Sequence, residues 1–268
     1  MKSSNTFKKI FLALFAFTLS ALFSEVSATH IIGGELHYEC LGGNGQYRVF
    51  ITIYRDCDNG IADFDDPAFL GIFDEDTTQI ELQLPLRQRD TLTPIVADSC
   101  LIPPNICVET TEYVVDVTLP EPVGGYYFSY VECCRNDDIV NIINDEQTGS
   151  VFLSYLSNEK YLDCEDGLDF NDWPPLAICV DEPIDWDHSV IQDRIPPGHT
   201  LEYSLCRPLN VPLPIFRQDS TPILPGQSFM DILERYDSVQ WETGFSEDRM
   251  LNGAPDIAID EATGFITG

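Results

Sequence analysis

Between Gln46 and Tyr54 the chain reads QYRVFITIY, and Tyr47, Val49, Ile51 and Ile53 occupy every second position. That period places four large apolar side chains on one face of an extended strand, which predicts a half-buried strand. The segments TQIELQLPL, TEYVVDVTL, GGYYFSYVE and GSVFLSYL repeat the theme, separated by turns of Gly, Pro, Asn and Asp. Within GGYYFSYVE, Tyr126, Phe128 and Tyr130 share a face, a pattern that fits packing between sheets better than a platform for stacking sugars. A sustained 3.6-residue apolar period occurs only at the N-terminus. The chain is expected to be all-β, as two consecutive β-sandwich (immunoglobulin-like) domains after a signal peptide.

The N-terminal residues 1–28 supply that signal peptide. Lys2, Lys8 and Lys9 precede an apolar run, and Val26-Ser27-Ala28 is a small-residue cleavage pattern, so the mature chain is expected to begin at Thr29. No later run approaches the roughly 18 to 20 apolar residues of a spanning helix, which argues against direct membrane insertion. The acidic, Pro-terminated stretch LSNEKYLDCEDGLDFNDWPP predicts a boundary between a first domain at 29–165 and a second at 170–268. In the second, LAICVDEPIDWDHSV, HTLEYSLCRPL, SVQWETGF and PDIAIDEATGFITG read as strands, and NVPLPIFRQDSTPILPGQSF as an extended excursion. Glu261-Ala262-Thr263-Gly264 predicts a closing hairpin turn whose Gly takes positive φ. A chain ending within such a sheet is expected to continue beyond Gly268.

Charge narrows the partners. Removing the leader's three Lys and Glu25 from 14 basic and 45 acidic residues leaves 11 and 44, a formal charge of −33. Such a surface repels phosphate backbones and anionic lipid, so nucleic-acid binding is not expected. Extracellular protein or glycan ligands and cations are compatible with it.

Three motif readings follow. Residues 28–35, ATHIIGGE, resemble the activated N-terminus of a trypsin-like protease, but no GDSGG, AAHC, GxSxG or HExxH motif accompanies them. Gly33-Gly34 is then a flexible entry to the first strand, and no enzyme is expected. His30 and His37, an odd number apart, fall on opposite faces of a strand and do not form a metal pair. Asp56, Asp58, Asn59, Asp63, Asp65 and Asp66 crowd one loop whose opening, D-x-D-N-G, resembles a calcium loop. Its twelfth position is Pro67 rather than a bidentate Glu. Asp163, Glu165, Asp166, Asp169 and Asp172 form a second acidic turn. In both, Asp, Asn and Gly are also the residues β-turns use for their own backbone hydrogen bonds. Calcium is thus the one candidate cofactor.

All nine cysteines follow the leader, consistent with an oxidising compartment, and without a CxxC pair zinc is disfavoured. Cys179 and Cys206 are expected to staple two strands of the second domain; the closed loop would contribute about 3 kcal/mol on the chain-entropy model. Cys100 and Cys107 are placed to close a local loop. Adjacent Cys133 and Cys134 would point to opposite strand faces and pair elsewhere, with Cys40 and Cys57 as candidates. Cys164 is left unpaired.

The stretches THIIGGELHYECLGGNGQYRVFITIYRDC, FDDPAFLGIFD, PPNICVETTEYVVDVTLP, GGYYFSYVECCRND and IVNI together resemble the N-terminal region of large secreted surface proteins of gliding, type IX-secreting Bacteroidota. Those proteins often end in a gliding-motility-associated C-terminal sorting domain. Residues 178–268 look like the next module of such proteins, an immunoglobulin- or cadherin-like sandwich. Where that module carries an Asp-rich turn, this chain has QDRIPPGHTLEYSLC, which keeps Asp193 and puts Arg194, Pro196 and Pro197 in place of oxygen ligands. The resemblance implies a non-enzymatic adhesion or cell-surface structural protein at the outer cell surface, the first part of an array with downstream modules. The alternative is a calcium-dependent carbohydrate-binding module of a secreted hydrolase system.

Overall fold

The computed structural model describes residues 31–268 except 59, 61, 75–78, 93–105, 137–138, 172–174, 179–181, 211–235 and 254. The leader, His30, Asn59, Cys100, Asp172, Cys179 and most of the proline-rich excursion lie outside the described residues. Strands β1 (Ile31–Gly42) and β2 (Gln46–Asp56) form a long antiparallel hairpin. Its turn needs Asn44 and Gly45 at φ 74° and 72°, and a side chain at 45 would collide with the Leu119 carbonyl. The free edge of β2 pairs along its length with β6 (Val108–Thr118), which pairs with β5 (Arg89–Leu92). A second antiparallel sheet runs β4 (Gln79–Leu84), β3 (Ala68–Asp74), β7 (Gly125–Glu132), β8 (Ser150–Ser157). The sole α-helix among the described residues, α1 (Asn158–Asp163), follows at once, capped by Ser157, whose Oγ accepts the Lys160 N–H at 3.2 Å.

The alternation seen in the sequence sets how these sheets meet. Tyr47, Val49, Ile51 and Ile53 are at most 1 % exposed, as are Tyr126, Phe128 and Tyr130 on the opposing sheet. With Leu36, Tyr38, Leu70 and Ile72 they form one core, in which the Tyr38 and Phe128 rings lie 5.3 Å apart. Burial of each such side chain is worth about 1.5–3 kcal/mol. The tyrosines are tolerated because their hydroxyls reach backbone oxygens at the rim: Tyr113 donates to Asp65 at 2.7 Å and Tyr126 to Pro120 at 3.0 Å. IIGG is part of β1 rather than a flexible entry. Ile31 is buried, and a Cβ on Gly34 would lie 2.7 Å from the Thr52 carbonyl oxygen, so the glycine permits a close approach of strands.

Beyond residue 170 the described strands are short. β9 (Asp185–Asp187), β12 (Ala258–Ile259) and β13 (Phe265–Thr267) form a three-stranded sheet, and β10 (Leu209–Asn210) pairs with β11 (Asp237–Ser238). The closing hairpin forms as expected: Gly264 has φ 78°, and the Asp260 carboxylate accepts the N–H groups of Ala262 and Thr263. HTLEYSLC, expected as a strand, joins no ladder. Tyr203 instead bonds across to the hairpin, its N–H to the Glu261 carbonyl, while its hydroxyl accepts the Val190 N–H. Tyr236 and Leu209 pack with Phe73 and Val131, covering part of the second sheet's outer face.

The disulfides differ from the spacing-based expectation. Cys107 bonds Cys57, not Cys100, because the pairing of Asp56 with Val108 carries the two cysteines to the next position of the β2–β6 ladder, Cα atoms 5.0 Å apart. Cys164 is not the unpaired residue. It sits at φ 55° as the C-cap of α1 and bonds Cys40 of β1 across 124 positions. Cys133 and Cys134 bond each other across a cis peptide, and strand alternation does not apply to them because β7 ends at Glu132. Cys206 is exposed and bonds no described cysteine.

Candidate functional site

The two faces of β1, β2 and β6 have different occupants. Where Leu36, Tyr38, Ile51 and Tyr113 turn into the core, the intervening residues form cross-strand rungs on the outer face of the first sheet. Gly33, Tyr54, Thr110 and Asp90 make the first rung, Glu35, Thr52 and Glu112 the second, and His37, Phe50 and Val114 the third. Directly opposed side chains on such a face stand about 4.5–5.5 Å apart at Cβ. These rungs floor a cleft of about 910 Å³.

Its roof is the chain that follows α1. Residues 169–171 run beside 189–191, joined by Asn171 N–H to the Ser189 carbonyl and Ile191 N–H to the Asp169 carbonyl. Phe170 and His188 stack there, ring centroids 4.1 Å apart. Three attachments hold this segment to the edge of β1. Cys164 is covalently bound to Cys40, Gly167 donates its N–H to the Tyr38 carbonyl at 2.7 Å, and Asp166 accepts the Cys40 N–H at 2.8 Å. A fourth is Arg194, which bridges Asp166 at 2.7 Å and Glu39 of β1.

Carboxylates dominate inside. Burial, then repulsion from Asp169, pushes Glu35 up to about 7; a hydrogen bond donated by the Tyr54 hydroxyl opposes this, and Glu112 adds to the rise. Burial lowers the pKa of His37 although Asp169 pulls the other way, so the imidazole is neutral at physiological pH. His37 and Thr110 are each 8 % exposed, yet His37 Nδ1 and Thr110 Oγ1 have no hydrogen-bond partner among the described residues. Buried polar groups of this kind normally have one. The His188 Nδ1 in the roof is likewise unpartnered among them.

The acidic loop after β2 is organised differently. Asp63 accepts from Arg89 at 2.8 Å and lies 3.8 Å from Arg55. Asp56 accepts from the Asp58 N–H and the Asn136 amide, Asp66 accepts the Leu86 N–H, and Asp65 offers its carbonyl to Tyr113. These side chains are turned to separate partners, and among the described residues no group of three His, Cys, Asp or Glu is arranged to hold a metal ion. Of the second acidic turn, Asp169 lines the cleft, Asp166 is engaged by Arg194 and the Cys40 N–H, and Asp163 ends α1. Glu35, Thr110 and Glu112 were not singled out from sequence. The available signal was the alternate register of β1, β2 and β6, where polar and aromatic residues stand between core positions. No protein-family model, curated protein or solved structure matches the chain.

Proposed function

We propose that this chain is a non-enzymatic module of an exported surface protein that acts in adhesion or cell-surface structure, and that the cleft on the first sheet is where it engages an extracellular partner. The observation that carries this reading is the open cleft on the outer face of the first sheet, where His37 Nδ1 and Thr110 Oγ1 have no hydrogen-bond partner among the described residues. A sheet that carries polar side chains along the floor of an open cleft is suited to receiving a ligand. Support for the extracellular setting comes from the leader and from the Cys40–Cys164 and Cys57–Cys107 crosslinks, which persist in oxidising compartments. The resemblance to type IX-secreted surface proteins, with immunoglobulin-like modules at 29–165 and 170–268, belongs to the same reading.

The test is the size and place of the native product. An antibody against the chain should detect, on intact cells, a protein far larger than 268 residues, and cells lacking it should adhere less. A species of about the chain's own length, free in the medium with no effect on adhesion, would rule the reading out. The second reading is a glycan-binding module; it is favoured by Phe170, a partly exposed ring at the cleft. Retention on a glycan array would select it.

A further inference from the structure

We infer that the cleft binds the ammonium or guanidinium group of a lysine or arginine side chain on a partner protein, seated above Thr52 between Glu35 and Glu112, with Asp169 over it. This rests on the reading of the cleft as the binding surface. Glu35 and Glu112 stand on the two neighbours of Thr52 in one rung. Adjacent strands are about 4.8 Å apart, so the two carboxylates rise from backbones roughly 10 Å apart, a span their side chains close around a single cation. Asp169 approaches from the roof, its Oδ1 3.8 Å from His37 Nδ1.

Among the described residues no Lys or Arg forms an ion pair with Glu35, Glu112 or Asp169. Arg194 is engaged by Glu39 and Asp166, and Arg87 is exposed at the rim. Lys160, the only lysine after the leader, lies in α1. The unpartnered atoms fit the same guest. Neutral His37 can present Nδ1, and Thr110 Oγ1, as acceptors once a guest displaces the groups that cover them, and an ammonium brings three donors while a guanidinium brings five. Phe50, stacked on His37 at 4.7 Å, and Phe170 on His188 offer flat faces for the methylene stem and for cation–π attraction. An anionic group would meet uncompensated carboxylates. A neutral sugar would satisfy the hydrogen bonds but leave Glu35, Glu112 and Asp169 repelling one another.

The experiment titrates the purified chain, exported so that its disulfides form, with the N-methylamides of Nα-acetyl-lysine and Nα-acetyl-arginine. Their uncharged counterparts from norleucine and citrulline, and a chitin disaccharide, serve as the other arms. Amide resonances of Glu35, His37 and Glu112 should move with the cationic probes at an affinity at least ~10-fold above the uncharged ones, a difference that 1 M salt should largely remove. Glu35→Gln with Glu112→Gln should weaken the cationic probes about 10-fold or more, at a melting temperature no lower than that of the unsubstituted chain. If that pair unfolds, Asp169→Asn in the roof gives the same readout. Equal binding of citrulline, tighter binding of the disaccharide, or cationic binding indifferent to these substitutions would overturn the inference. The adhesion assay separates the two readings: adhesion that survives Glu35→Gln with Glu112→Gln ends the cation reading alone, and absence of the chain from the cell surface ends the surface reading alone.

Discussion

His37 Nδ1 and Asp169 Oδ1 face each other across the cleft at 3.8 Å, too far for a hydrogen bond and near enough to couple their charges. Asp169 raises the proton affinity of both His37 and Glu35. Asp169→Asn should therefore lower two pKa values together, moving Glu35 down from about 7 toward the ordinary carboxylate range and His37 further below 6.5. Titrations followed by NMR at the two side chains measure this, and a shift in one without the other would show that Asp169 does not couple to both.

The roof is tied to β1 mainly through Cys40–Cys164. On the chain-entropy model a crosslink spanning 124 positions contributes about 5 kcal/mol, and Cys57–Cys107, spanning 50, about 4 kcal/mol. Replacing Cys40 and Cys164 by Ser should lower stability by up to about that amount, measured by denaturant unfolding. It should also expose residues 165–194 to limited proteolysis before the sandwich core is cut. Simultaneous loss of core and roof would mean the crosslink holds the whole fold rather than the roof.

Glu132 is 4 % exposed and hydrogen-bonded to the Tyr130 hydroxyl. Burial first, then Asp65, pushes it from 4.5 to about 8, against the opposing pull of Tyr130. Because the folded value lies above the unfolded one, the fold favours the protonated acid. That stabilisation is complete below about 4.5 and is lost as pH rises through about 8. Glu35 acts with the same sign up to about 7. Unfolding free energy should fall between pH 5 and 8, and Glu132→Gln should flatten much of that decline and stabilise the protein at pH 8. An unchanged slope in the variant would assign the decline elsewhere.

The loop after β2 directs Asp63 to Arg89 and Arg55, and Asp56 to Asn136. Calcium would have to compete with these partners. Millimolar calcium added to chelated protein should therefore leave the melting temperature essentially unchanged, and a clear rise would place an ion in this loop after all.

The core strands were legible in the sequence because a period of two is a local property: Tyr47 to Ile53 and Tyr126 to Tyr130 state their buried face without reference to any partner. The closing hairpin was legible for the same reason, its turn being fixed by Asp260 and Gly264. The cysteine partners were not. Cys57 meets Cys107 only through the β2–β6 register, and Cys40 meets Cys164 only once α1 has turned the chain back onto the first sheet. The cleft was hidden similarly, since Glu35, Thr52 and Glu112 share a rung that no short window of sequence contains. Asp169 was visible as one of a run of acids, but its position over His37 follows from the attachment of Cys164, Asp166 and Gly167 to β1, which no local pattern announces.

The alternation of β1, β2 and β6 also separates two kinds of inheritance. Even-numbered residues of β1, such as Leu36 and Tyr38, answer to the opposing sheet, while Glu35 and His37 between them line the cleft. The lining of the cleft can therefore be rewritten at alternate letters of three strands while the scaffold beneath stays intact. An insertion of a single residue in β1 would be far more damaging than several substitutions, because it would exchange the two alphabets at once.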